Sequence, residues 1–110
     1  MINEKTTASR QVWDTFRRAL ENSVAADSRL RFSALGPDVV EITNGQNRLL
    51  VSLERNTIKT TLHFPSPDHD QPNFIRVSLN PEDTQPCQIG GRSLSPAGAA
   101  REVIETFVTK

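Results

Sequence analysis

The sequence predicts an α+β fold of two layers: an antiparallel β-meander of about five to seven strands, with an N-terminal and a C-terminal helix packed on the same face. Three patterns carry this. Apolar and polar residues alternate regularly in the strand segments between Leu30 and Leu79, which places successive side chains on opposite faces of a sheet. Before that stretch, Val12, Trp13, Phe16, Ala19, Leu20 and Val24 recur at helical spacing. After it, Ala100, Val103, Ile104, Phe107 and Val108 do the same. Two amphipathic helices need an apolar surface, and a sheet with one apolar face supplies it.

In chain order, the first helix runs from Ala8 to about Asp27. Thr7 is its N-cap, because a hydroxyl there accepts from a free N–H of the first turn. Residues 1–7 are expected to be a disordered tail, and residues 1–110 a single domain. Leu35-Gly36-Pro37-Asp38 is turn chemistry between the first two strands. Asn44-Gly45 is the strongest hairpin signal, since both residues tolerate positive φ. Glu54-Arg55-Asn56 turns the chain again. The prolines between Pro65 and Pro72 exclude a central strand there, so the last long strand is expected over Phe74–Leu79. Cys87-Gln88-Ile89, Gly90-Gly91 and Arg92-Ser93-Leu94 suggest a small hairpin or a bent edge strand. Ser95 then caps a helix with Pro96 at its first position, where the missing N–H costs nothing. The sequence does not fix the order of the strands.

Composition bounds the function. Among the 110 residues 35% are hydrophobic and 24% charged, and the formal net charge is +0, so long-range attraction to a polyanion is missing. The residues at the start have no apolar run of a secretory signal, and no stretch reaches the roughly 20 apolar residues of a membrane span. A single cysteine, Cys87, fits a reducing compartment and forms no internal disulfide. The expected location is the cytoplasm. The order helix, meander, helix resembles type III secretion chaperones and other small bacterial domains in topology alone. The chain shares no motif with those chaperones and lacks their acidic character; the resemblance implies a bacterial protein.

Catalytic signals are close to absent, and no catalytic residue is assigned. The serines lack a nucleophile elbow, Gly90-Gly91 is too short for a phosphate cradle, and Cys87 has no local base. The stretch His63–Asp70 gathers His63, Asp68, His69 and Asp70, which are weak candidates for a metal or for acid–base chemistry, but their spacing matches no established ligand pattern. No cofactor is implied.

The polar face of the sheet is the better lead. Arg31, Arg48, Lys59 and Arg76 fall on it against one acid, Glu41, and Leu50 adds apolar contact, with Phe74 as a further contributor. Arg31, Arg48, Leu50, Lys59 and Arg76 are therefore the candidate binding residues. The leading expectation is a non-enzymatic module that binds a protein partner or a second copy of itself through this open face or an edge strand. The alternative is an anionic ligand or nucleic acid held by the basic residues. The missing pair of exposed aromatics argues against nucleic acid, and nothing points to a membrane. A metal-dependent enzyme built on His63–Asp70 is the remaining alternative.

Overall fold

The computed structural model describes residues 4–65, 68 and 70–109. Helix α1 spans Glu4–Ala25. Strands β1 (Leu30–Gly36), β2 (Val39–Asn44), β3 (Asn47–Glu54), β4 (Thr57–His63), β5 (Gln71–Leu79), β6 (Cys87–Ile89) and β7 (Arg92–Leu94) follow, and helix α2 (Pro96–Val108) ends the fold. The strands form one seven-stranded sheet in the order β1-β2-β3-β4-β5-β6-β7, each antiparallel to its neighbour. The two-layer α+β prediction holds, and the strand order that the sequence left open is the sequential one.

The alternation makes one face of this sheet apolar, and both helices cover it. Trp13, Phe16, Leu20 and Val24 of α1, with Val103, Ile104 and Phe107 of α2, meet Leu30, Val40, Ile42, Leu49, Val51, Ile58, Leu62, Val77 and Leu79 in one core cluster. Trp13 and Phe16 stack at 6.1 Å between ring centroids, and the buried Trp13 Nε1 donates to the Pro37 carbonyl at 2.9 Å. That bond ties α1 to the β1–β2 turn and meets the polar need of an indole in the core. No described helix is long and apolar enough to cross a membrane.

Four local expectations change. Helix α1 begins at Glu4, so Thr7 lies inside it rather than at its cap, and residues 4–7 are helical where a tail was expected. Residues 1–3 fall outside the described residues. The β2–β3 hairpin closes with Asn44 paired to Asn47, so the loop is Gly45-Gln46 and Asn44 belongs to the strand; Gly45 takes φ 63°. The tight turn in which both loop residues have positive φ is Gly90-Gly91, at 56° and 82°. The final long strand starts at Gln71 and includes Pro72, which pairs with Thr61.

Pro72 is tolerated because of the ladder's phase. Hydrogen-bonded pairs alternate along each antiparallel ladder. Counting from the closing pair Glu54–Thr57, Thr61 turns its backbone groups toward β3, so Pro72 presents its missing N–H to the side of β5 away from β4. There β6 pairs only with Ser78 and Leu79, so no ladder bond is lost.

The β4–β5 register shifts between Lys59 and Thr61, where extra β5 residues bulge out. Thr60, fully buried, fills the gap. Its Oγ1 accepts from the Ile75 N–H at 2.6 Å and donates to the Ile75 carbonyl at 2.8 Å, replacing the interrupted ladder. Phe74 packs against the core cluster, which corrects its expected place on the open face.

Candidate functional site: the open face and the β1 edge

Pairing registers sort the open face into four rows across the sheet. The first holds Arg31, Thr43, Arg48 and His63, and the second Ser33, Glu41, Leu50, Thr61 and Pro72. The third holds Val39, Ser52, Lys59 and Arg76. The fourth holds Glu54, Thr57, Ser78, Gln88 and Ser93. Two residues along a strand advance about 6.7 Å, so the first and third rows lie about 13 Å apart. The candidate residues therefore do not form one patch. Arg31 and Arg48 stand at one end, Lys59 and Arg76 at the other, with Leu50 half-buried between them.

Acids temper both ends. Arg48 Nη1 lies 3.5 Å from Glu41 Oε2, and Lys59 Nζ lies 2.7 Å from Glu54 Oε2. Glu54 belongs to the same face, although it reads as turn chemistry in the sequence. The four-to-one excess of basic residues is thus reduced. Among the described residues no acidic side chain pairs with Arg31 or Arg76.

His63 and Asp70 form a clasp rather than a ligand cluster. His63 Nδ1 lies 2.9 Å from Asp70 Oδ2, and Asp70 Oδ1 accepts from the Phe64 N–H at 3.1 Å. These bonds, His63 first, hold the Asp70 carboxyl below its ordinary range, with a minor contribution from Arg48. Asp68 is exposed, and His69 lies outside the described residues. Among the described residues no three His, Cys, Asp or Glu side chains gather as a metal site would require. Cys87 is buried among the core residues, and burial pushes its thiol up to about 11, which disfavours the thiolate.

Two depressions formed by described residues bear on these surfaces. The first, about 460 Å³, lies on the open face beside the β3–β4 turn and is lined by Glu54, Arg55, Thr57, Lys59 and Arg76. Arg55 has φ 57°, a left-handed conformation that costs a non-glycine residue about 1–2 kcal/mol. Its neighbour Asn56 is clamped: the carbonyl accepts from the Leu79 N–H at 2.8 Å, and Oδ1 accepts from Ser9 Oγ at 2.6 Å. Sequence reasoning missed Arg55, because nothing in Glu54-Arg55-Asn56 announces which residue turns left-handed.

The second depression, about 520 Å³, runs between the end of α1 and β1, and includes Glu21, Val24, Asp27, Leu30 and Phe32. Asp27 is part of its lining. Its carboxylate accepts from the Arg29 backbone N–H and from the Arg29 guanidinium, at 2.7–3.0 Å, which hold its pKa at about 2. Beside it, β1 has a strand neighbour on one side only. Counting from the closing pair Asn44–Asn47, Arg31 and Ser33 direct their backbone groups to β2, while Leu30, Phe32 and Ala34 direct theirs outward. The Leu30 N–H indeed turns away and donates to the Asp27 carbonyl at 3.1 Å.

Compared with protein-family models, with characterised proteins and with solved structures, the chain matches none. The residues themselves carry the functional reading.

Proposed function

We propose that the protein is a non-enzymatic interaction module that self-associates through the outer edge of β1. The observation that carries this reading is the outward backbone of Phe32 and Ala34 beside a depression where Val24, Leu30 and Phe32 stand among polar side chains. A strand edge next to a helix is the geometry that accepts an added strand through main-chain hydrogen bonds. The occupant it favours is a second copy of β1, running antiparallel about a two-fold axis.

Self-complementarity supports that choice. Centred on Ser33, such a pairing sets the half-buried Phe32 opposite Ala34, large against small, so Leu30, Phe32 and Ala34 cover both depressions at once. On the open face it sets Arg31 opposite Leu35, and no like charges meet. Leu35 is 57% exposed and sits at a bulge between Ala34 and Gly36, where the alternation is broken. A second copy would cover it.

Light scattering coupled to size exclusion tests the reading. The wild-type chain should elute as a dimer that dissociates on dilution. Ala34→Pro removes an outward N–H without touching the β1–β2 ladder, and should give a monomer with an unchanged circular dichroism spectrum. A wild-type monomer at all concentrations, or a dimer that survives Ala34→Pro, overturns it.

A further inference from the structure

The β3–β4 turn carries a second feature, independent of the β1 edge. Lys59 and Arg76 are direct cross-strand partners. The ladder phase makes theirs a non-hydrogen-bonded pair, the kind that brings side chains closest, with Cα atoms about 4.5 Å apart. Two like charges in that relation repel, and a sheet ordinarily avoids them. Glu54 neutralises Lys59 at 2.7 Å and leaves Arg76 without an acidic partner among the described residues. A third cation, Arg55, stands over the same depression on a turn held in a strained conformation by Ser9 and Leu79. Strain maintained by a clamp from two sides is a common mark of a binding position.

We propose that this depression binds the phosphoryl group of a small phosphate ester. Arg76 and Arg55 provide charge-assisted donors, the Thr57 hydroxyl adds a neutral one, and Lys59 turns from Glu54 to the ligand. A tetrahedral dianion relieves the Lys59–Arg76 repulsion, which a single carboxylate does only in part. The volume, about 460 Å³, is that of a small-molecule site. A polyanion fits less well. Any chain of phosphates crossing from Lys59 and Arg76 toward Arg48 and Arg31 passes the row that holds Glu41, and the neutral net charge offers it no steering.

Nuclear magnetic resonance titration of the isotope-labelled full chain tests the site with three probes: inorganic phosphate, phenyl phosphate and single-stranded oligouridylate. Phosphate and phenyl phosphate should cause saturable shifts of the amides of Arg55, Thr57, Lys59 and Arg76, with phenyl phosphate the tighter ligand. Oligouridylate should bind no more tightly per phosphate than phosphate alone. Arg55→Gly keeps the turn, since glycine accepts the left-handed conformation, and should weaken phenyl phosphate about tenfold, the loss of one charge-assisted contact. Arg76→Ala should weaken it similarly, and Glu54→Gln should tighten it several-fold by freeing Lys59. Three outcomes overturn the proposal: no saturable shift, unchanged affinity in a folded Arg55→Gly, or much tighter oligouridylate binding that also shifts Arg31 and Arg48. The last would mark a polyanion surface instead.

Discussion

Thr60 shows how much one side chain contributes where a ladder is interrupted. Thr60→Val preserves shape but leaves the half-buried Ile75 N–H and carbonyl without the partner that the fully buried Thr60 supplies. Unsatisfied groups of this kind cost about 1–3 kcal/mol each, so urea unfolding should show a loss of about 2–4 kcal/mol. Arg55 works in the opposite direction. Replacing it by glycine relieves the left-handed conformation, so Arg55→Gly should raise stability by about 0.5–1 kcal/mol; a decrease would show that the turn is unstrained. Asp27 sets a pH window. Its carboxyl is lowered from 3.8 to about 2 by the Arg29 hydrogen bonds, so its contribution is complete above pH 4 and is lost as pH falls toward 2. The stability of Asp27→Asn should therefore depend less on acid across that interval. Because the pair is exposed, the difference should shrink as salt is added.

At the scale of elements, caps and turns determine where each segment stops. The Ser95 hydroxyl accepts from the Gly98 N–H at 3.0 Å, with Pro96 in the first turn, as the sequence indicated. Ser95→Ala should cost about 1 kcal/mol, read as a lower midpoint in thermal unfolding. The strands were legible because most of each one alternates, and Gly90-Gly91 was legible because two glycines can turn left-handed together. Other boundaries were hidden for physical reasons. Asn44 tolerates positive φ yet serves as a strand end, so the hairpin is offset by one residue from its signal. Pro72 enters a strand because its ladder side is vacant, which depends on the phase of a neighbour. The binding candidates Lys59 and Arg76 come side by side only through the β4–β5 register. Arg31 and Arg48 were separated from them by the same geometry.

For the molecule as a whole, stability rests on the seam where two helices meet one face of the sheet. Phe107, almost fully buried, joins α2 to that core, and Phe107→Ala should cost about 3–5 kcal/mol in denaturant unfolding. Cys87 is a natural reporter of the same event. Its buried, weakly acidic thiol should resist alkylation in the folded protein and react at the rate at which the chain opens. The unbroken strand order has a kinetic corollary. From β2 onward each strand pairs with the one made just before it, so the sheet can zip up hairpin by hairpin. The helix pair is different: α1 and α2 come from opposite ends of the chain, and their meeting closes the longest loop. That closure should come last. Phe107→Ala should then speed unfolding and leave refolding nearly unchanged, while a lesion in the β3–β4 hairpin slows refolding itself.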